Sequence, residues 1–318
     1  MKMINGVLGP ISAEELGQTL MHEHVVCCDW GMRQSFREKW FEFDKVVEIA
    51  VGQMKKAREK YGITTIVDGT KPNLGRDINL IKTVAEKAQM NIIVSTGMYF
   101  QEEPYLMNKP INWLLDLMLE ECVEGIEGSG ILPGIIKSAT DRYGITALNK
   151  ELLYMASMIH CKTRLPIFAH SCAPLKTGLL QQDEFEKNGV DLSKVIIGHS
   201  GDSNDIGYLI GIMTRGSYIG MDRFGDDAKN SLENRCQTVA ELCRRGWTEH
   251  MFLSHDFSAY IDWATHSWDN TKNADWMNLE VDYTYVHRKA IPRLLELGVT
   301  QEQIHTMMVE NPKKFFES

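Results

Sequence analysis

Residues 166–200 read PIFAHSCAPLKTGLLQQDEFEKNGVDLSKVIIGHS, in which two apolar runs, Pro166–Ser171 and Val195–Ser200, flank a stretch of mixed polarity. Neither run alternates between apolar and polar residues, and each ends on histidine followed by serine. An unbroken apolar run of this length is typical of a strand that is buried on both faces of a parallel sheet. The segment between the runs is long enough for a crossover helix, so we predict a strand–helix–strand unit.

The same unit recurs along the chain in both directions. Eight candidate strands can be recognised, namely Thr19–His24, Thr64–Thr70, Asn91–Gly97, Ile131–Ala139, Pro166–Ser171, Val195–Ser200, Ser217–Asp222 and His250–Asp256. Helical patterns separate them, most clearly over Asp44–Tyr61, where Asp44 is expected to cap the helix start and Gly62 to follow its end. Asn311 followed by Pro312 predicts a helix cap and a first-turn proline.

Strand–helix alternation repeated eight times predicts an α/β protein folded as a (β/α)8 barrel, with residues 1–318 forming a single domain. A doubly wound open sheet is the alternative architecture. Its phosphate-binding signatures are not found, because the sequence has neither Gly-x-Gly-x-x-Gly after the first strand nor a Walker-type loop.

Composition narrows the class of protein. The net charge of −9 argues against a nucleic-acid footprint or a polybasic membrane patch. Seven cysteines, an odd number without a Cys-x-x-Cys pair, indicate reduced thiols and therefore a cytoplasmic protein. We expect neither a signal peptide nor a transmembrane helix, since the N-terminus lacks a long apolar run and the chain has no apolar run of ~18 residues.

Ionisable side chains stand at the ends of five predicted strands. In a (β/α)8 barrel the carboxyl ends of the strands meet at one mouth, where active sites are found. Grouping such side chains away from water is costly unless they bind something. The group comprises His22, His24, Lys137, His170, His199 and Asp256.

The pair His22 and His24 points to a metal ion. Residues two apart on a strand face the same side, so both imidazoles can bind one cation inside the barrel. A lone His-x-His is a weak signal, but two further histidines and an aspartate at strand ends supply the ligands that zinc-like ions prefer. Cobalt, manganese and iron tolerate the same ligands and remain open.

Lys137 has two interpretations. In isolation, a lysine in the apolar run GIIKSA reads as a side chain that extends its amine to water. Beside metal ions an ammonium would be repelled, whereas a buried lysine can lose its proton. A neutral amine can add carbon dioxide, and the resulting carbamate has two oxygens that could bridge two metals.

Seven runs, taken in order along nearly the whole chain, carry a family resemblance. They are GPISAEELGQTLMHEH, GIIKSAT, PIFAHS, VIIGHSGDSND, GSYIGMDRFG, FLSHD and ENPKKFF. Together they resemble the phosphotriesterase-like lactonases of the amidohydrolase superfamily. The resemblance implies two divalent cations per chain, zinc first among the choices, and a homodimer. It implies that the ligands of the more buried metal are His22, His24 and Asp256, that those of the more exposed metal are His170 and His199, and that Lys137 is the carboxylated bridging lysine.

Within that family the pocket residues separate two activities. Organophosphate triesterases carry tryptophan and histidine at the positions of Tyr99 and Arg223, whereas lactonases resemble this chain there. Trp263 matches a lactonase position that packs against the lactone. By resemblance, Tyr99, Arg223 and Trp263 are therefore expected to bind substrate.

The expected function is hydrolysis of lactone rings, such as acyl-homoserine lactones or other γ- and δ-lactones. A hydroxide held between the metals would attack the carbonyl, and Asp256 would accept its proton. Promiscuous phosphotriesterase activity should accompany this reaction. Three alternatives stay open: a lactonase for phosphorylated sugars, an organophosphate triesterase, and a non-catalytic binding protein on the same fold.

Two residues next to the predicted ligands are expected to have supporting roles. Asp202 is expected to cap a helix or orient a histidine, and His255 to point away from the pocket.

Overall fold

The computed structural model describes residues 3–262 and 280–317 of the chain. Its strands are β1 (Met3–Gly6), β2 (Gly9–Ser12), β3 (Gln18–Cys27), β4 (Ile63–Asp68), β5 (Asn91–Gly97), β6 (Ile135–Ala139), β7 (Ile167–His170), β8 (Val195–Gly198), β9 (Tyr218–Met221), β10 (Met251–Leu253) and β11 (Ser258–Ile261). Its α-helices are α1 (Trp30–Phe36), α2 (Phe43–Tyr61), α3 (Ile78–Ala88), α4 (Pro104–Met107), α5 (Ile111–Glu124), α6 (Ala147–Thr163), α7 (Thr177–Lys187), α8 (Ile206–Thr214), α9 (Leu232–Arg244), α10 (Ile291–Glu296), α11 (Gln301–His305) and α12 (Asn311–Glu317).

One sheet of parallel strands runs in the order β10-β9-β8-β7-β6-β5-β4-β3-β11. Its two end strands, β10 and β11, are joined by residues 254–257 alone, so this segment closes the sheet into a ring. The Asp256 N–H donates to the carbonyl of His22 at 3.1 Å, and the His24 N–H donates to the carbonyl of Phe257 at 2.8 Å. The predicted (β/α)8 barrel is confirmed, and the open-sheet alternative is excluded. Strand β11, which continues the eighth barrel strand, was not predicted.

The barrel interior is apolar away from the mouth. Each of β3 to β10 contributes a side chain to one buried cluster, namely Met21, Val67, Ile93, Ile135, Phe168, Ile196, Tyr218 and Phe252. Side chains of the β1–β2 hairpin and of α12 complete this cluster, with Ile4 and Ile11 from the hairpin and Phe315 and Phe316 from the helix. The Val7 N–H donates to the carbonyl of Ile92, near the start of β5, at 2.9 Å. The hairpin therefore covers the amino ends of the strands and leaves the carboxyl ends for chemistry.

The register of β3 is irregular at the point where the interior changes from apolar to polar. Pairing with β4 shifts between Leu20 and Glu23. As a result the side chains of the sequence neighbours Met21 and His22 both point into the barrel. Met21 lies in the apolar cluster and His22 lies at the mouth. Strict alternation cannot place two successive side chains inside, so this departure is a bulge-like adjustment.

Two predicted helix caps are wrong. Helix α2 begins at Phe43 after Glu42, so Asp44 lies in its first turn and does not cap it. Its negative charge there interacts favourably with the positive end of the helix dipole. Gly62 ends this helix as predicted, with φ +70°. Asn311 caps nothing, because the chain stays helical from α11 through Thr306–Glu310 into α12. Its amide donates instead to the carbonyls of Thr248 and Met251 at 2.9 and 2.8 Å.

Two expectations from composition can be compared with the structure. All seven cysteines are free thiols. Within residues 3–262 and 280–317, no helix combines the length and the apolar character needed to cross a membrane.

The closing segment depends on Glu23, the residue between the two β3 histidines. Its buried carboxylate accepts four hydrogen bonds, from Ser254 Oγ, from the N–H and Nδ1–H of His255, and from the N–H of Phe257, at 2.6–3.0 Å. His255 Nε2 in turn accepts from the Val286 N–H at 2.9 Å. His255 therefore points away from the mouth, as predicted, and Glu23 holds the loop that carries Asp256.

We predict that Glu23→Gln lowers the free energy of unfolding by about 2–4 kcal/mol, because an amide NH2 would face buried donors and charge-assisted bonds would be lost. Urea denaturation measures the change. Glu48→Gln, which alters an exposed glutamate on α2, is the matched control and should change stability by less than about 0.5 kcal/mol. Equal stability of the two variants would contradict the role given to Glu23.

Candidate metal centre

Six side chains from five barrel strands converge at the mouth. Oδ1 of Asp256 lies 3.3 Å from Nε2 of His22 and 3.1 Å from Nε2 of His24. Nε2 of His199 lies 2.8 Å from Nδ1 of His170. The sixth side chain is Lys137, whose amine contacts Nε2 of His22. The residues that the sequence singled out at separate strand ends are therefore neighbours in space.

Asp222, at the end of β9, orients two of these histidines. Its Oδ2 lies 2.8 Å from Nδ1 of His22, and its Oδ1 accepts from the backbone N–H of His199 at 2.7 Å and lies 3.2 Å from its Nδ1. Both imidazoles are thereby fixed with Nε2 directed into the site. Sequence reasoning placed Asp222 at a strand end without giving it this role. Its position could have indicated this role, because Asp222 ends a predicted strand in the same way as the other ionisable residues of the site.

The other two histidines also have partners outside the group of six. Nδ1 of His24 lies 2.8 Å from Thr70 Oγ1, and Nε2 of His170 lies 3.3 Å from Oδ2 of Asp141. Thr70 and Asp141 follow β4 and β6, so they too lie at the mouth. Each histidine therefore has one ring nitrogen supported from behind and the other facing the centre.

Two of the central residues have unusual backbone conformations. His199 and Asp256 adopt positive φ values of 59° and 56°, in the left-handed region. Non-glycine residues seldom adopt this conformation, which costs on the order of 1 kcal/mol and concentrates at functional sites. The bond from the His199 N–H to Asp222 and the bond from the Asp256 N–H to His22 help to hold these conformations.

Lys137 is buried in β6, with Nζ 4.0 Å from the centre of the Phe168 ring. Burial lowers the pKa of its amine to about 7. The ring of Phe168 also packs against His22, with centroids 4.2 Å apart, and forms the floor of the site. An amine with this pKa is neutral in a large fraction of molecules at neutral pH and can act as a nucleophile.

The donor set suits a divalent cation. One ligand atom each from His22, His199 and Asp256 lie within 4.8 Å of one another. Burial lowers the pKa of His22 and His199 well below their usual value, and that of His170 to about 4. The neutral imidazole nitrogens of these three histidines, beside the Asp256 carboxylate, are ligands that zinc and similar ions take.

Tyr99 and Arg223 border the same centre. The Tyr99 hydroxyl lies 3.4 Å from Nδ1 of His170, and Arg223 Nε donates to Oδ2 of Asp256 at 3.1 Å. Arg223 also donates to Asp202, which is held at its other oxygen by Arg235, both at 2.8 Å. The expectation for Asp202 was therefore wrong: it anchors two arginines and neither caps a helix nor orients a histidine by direct contact.

The third predicted pocket residue, Trp263, lies outside the described residues, as does the unusual stretch THSWDNTKNADWMN that follows it.

A sequence model of the group described as the phosphotriesterase family matches residues 2–316. The chain belongs to that family. The phosphotriesterase homology protein of Mycobacterium tuberculosis is 38% identical, across 100% of this chain and 98% of its own. An aryldialkylphosphatase of Saccharolobus solfataricus is 35% identical across 96% of each chain. The solved structure of the phosphotriesterase from M. tuberculosis superposes with a TM-score of 0.92 at 38% identity, covering 99% of this chain and 98% of that one.

Family membership makes this chain a metal-dependent hydrolase, because the phosphotriesterase family comprises binuclear metal hydrolases and this chain has a His/Asp cluster at the same kind of site. The non-catalytic alternative is thereby set aside. Hydrolases of this family act on small-molecule substrates, as predicted for this chain.

We predict that Asp222→Asn weakens metal binding by about 10–100-fold, because the amide cannot accept from both His22 and His199. Metal titration of chelator-treated protein, followed by mass spectrometry or a colorimetric dye, measures the affinity. Asp183→Asn removes an exposed aspartate that pairs with Arg215 and serves as the control. An affinity unchanged in Asp222→Asn would show that these contacts do not prepare the histidines for metal.

Proposed function

We propose that this protein is a lactonase of the phosphotriesterase family. In this proposal His22, His24 and Asp256 would hold one divalent cation and His170 and His199 a second, and Lys137, as a carbamate, would supply a ligand to both. When bound, such ions lower the pKa of water toward 7 and polarise a carbonyl oxygen. Zinc is the first choice of metal.

The carbamate on Lys137 is supported by the surroundings of the amine. Lys137 Nζ contacts an imidazole nitrogen of His22, and no carboxylate hydrogen-bonds to it among the described residues. Attack of the neutral amine on carbon dioxide forms an N–C bond while one C=O π bond of carbon dioxide opens, and one amine proton is released to solvent. The product is an anion with two oxygens, and it replaces a positive charge that would repel two cations.

Asp256 is the proposed proton acceptor. Its Oδ1 faces His22 and His24, and its Oδ2 accepts from Arg223, so both oxygens are held in place. A carboxylate fixed in this way can take a proton from the attacking water and return it to the departing alkoxide. Arg223 is itself held by Asp202, and this pairing keeps the guanidinium close to Asp256 as the proton moves.

The observation that carries the lactone assignment is the polar wall formed by Tyr99 and Arg223. The Tyr99 hydroxyl is directed at His170, next to the position proposed for the second cation. Partial burial raises the pKa of this hydroxyl, so it remains a hydrogen-bond donor at neutral pH. A lactone presents a small planar carbonyl that such a donor can orient, whereas a bulky aryl phosphotriester needs a wider apolar pocket.

The name of the Saccharolobus relative, aryldialkylphosphatase, favours phosphotriester hydrolysis as a second activity of the same centre. We propose it as a slow side reaction, because attack on a P=O group needs the same parts as attack on a carbonyl. Zinc as the native metal, a homodimer, a cytoplasmic location, Trp263 as a contact to the lactone, and residues 1–318 as one domain stay predictions.

Lys137→Ala should reduce kcat by at least about 100-fold, since no bridging anion can form. Adding short carboxylic acids should restore part of the activity, because a free carboxylate fits the space left by the carbamate. Lys194→Ala, a buried lysine whose amine bonds to the carbonyl of Phe315 at the other end of the barrel, is the control and should show no rescue. Full activity of Lys137→Ala without additives would contradict the bridging role.

Substrate preference tests the proposed function directly. On metal-quantified protein, kcat/KM for γ- and δ-lactones should exceed kcat/KM for paraoxon by at least ~100-fold, or ~2.7 kcal/mol in transition-state stabilisation. The double variant Tyr99→Trp with Arg223→His should lower this ratio, chiefly through loss of lactone activity. A wild-type ratio at or below one would overturn the lactonase assignment.

A further inference from the structure

Lys71 is a second buried lysine at the mouth of the barrel. It follows β4, immediately before a short 3-10 helix at Pro72–Leu74, and its side chain is fully buried. Within the described ranges its amine has no hydrogen-bond partner. A buried amine in this state is unusual, because most buried polar groups are hydrogen-bonded and an unpaired buried charge destabilises the fold.

The two other buried lysines differ from Lys71 in this respect. Lys194 donates to the carbonyl of Phe315 at 2.8 Å, at the opposite end of the barrel, and Lys137 contacts His22 within the metal centre. A hydrogen bond within the protein therefore explains the burial of Lys194, and the proposed carbamate explains the burial of Lys137. Neither explanation applies to Lys71, which lacks both a partner and a place among the proposed ligands.

The surroundings of Lys71 connect it to the substrate side of the centre. Its Nζ lies 4.2 Å from the centre of the Tyr99 ring, and the hydroxyl of that ring lies 3.4 Å from Nδ1 of His170. A cation–π contact is weaker than the cost of burying an ammonium, so the Tyr99 ring alone does not compensate for the burial of Lys71. Burial and the nearby Lys137 amine lower the pKa of the Lys71 amine well below its usual value, because no described residue pairs with the ammonium form. An anion placed beside the amine would favour its charged form again.

We propose that Lys71 is a substrate-binding residue whose amine pairs with an anionic group on the substrate, beside Tyr99. The natural substrate is then a lactone that carries a carboxylate or a phosphate. The inference rests on the proposed lactonase function and deepens it by naming the chemical class of the substrate. An anionic substrate would supply the missing partner and would be held by a charge-assisted hydrogen bond in a site that excludes water.

Three γ-lactones of the same ring test the proposal: one with a neutral hydroxymethyl substituent, one with a carboxylate and one with a phosphate at that carbon. Wild-type kcat/KM should be at least about 10-fold higher for one of the anionic lactones than for the neutral one. Lys71→Met, which keeps the length of the side chain, should raise KM for that lactone by about 10–100-fold and change kcat/KM for the neutral lactone by less than about 3-fold.

Lys176→Met is the matched control. Lys176 follows β7, is exposed and pairs with Asp205, so its loss gives the same change in net charge outside the pocket. It should alter kcat/KM for all three lactones by less than about 2-fold. Metal content and melting temperature are measured on every variant, and Lys71→Gln is assayed beside Lys71→Met as a second, polar substitution.

The outcomes separate the two proposals. Hydrolysis of none of the lactones by metal-loaded wild type would refute the lactonase function. Hydrolysis of the neutral lactone at a rate equal to or above both anionic ones would overturn the role of Lys71 while leaving the lactonase function standing. An equal loss on neutral and anionic lactones in both Lys71 variants, with metal content unchanged, would make Lys71 a structural residue and would also overturn the inference.

Discussion

The pairing of the Asp222 carboxylate with His22 and His199 is the constraint on which the mouth of the barrel depends. It joins the end of β9 to β8 beside it and to β3, which lies beyond the closing strands β10 and β11, so three strand ends are fixed by one side chain. Because both Nδ1 atoms face this carboxylate, both Nε2 atoms face inward, toward Asp256 and His170. Protein contacts alone orient these nitrogens, which lowers the cost of ordering the ligands when a metal binds.

A second set of charges extends from the centre into the protein interior. Asp256 is paired with Arg223, Arg223 with Asp202, and Asp202 with Arg235. Alternating signs offset the cost of burying each charge, and Arg223 and Arg235 together lower the pKa of Asp202 although burial alone would raise it. The alternation also places a permanent positive charge against the proposed proton acceptor.

Much of the architecture could be predicted from the chain alone. The apolar runs correspond to eight barrel strands because residues buried on both faces must be apolar without alternation. The features that were predicted wrongly or not at all have local causes. Asp44 and Asn311 are good cap residues, but the helices run past them, and Asn311 is held inside its helix by bonds to Thr248 and Met251. Strand β11 and the β1–β2 hairpin are short, and no pattern marked them. The shift in register near Leu20 could not be foreseen, since it depends on how β3 meets β4.

The sequence by itself determined the barrel, the six side chains at strand ends and the family, because periodicity and the order of motifs are properties of the chain. Only the tertiary structure decided what surrounds those side chains. Asp222, Asp141 and Thr70 come from different strands, and their approach to the histidines is a matter of distance, which sequence spacing does not encode. The same holds for Lys71, which reads as an ordinary loop lysine in TKPNLG and becomes conspicuous only when its burial, its missing partner and its contact with Tyr99 are seen together.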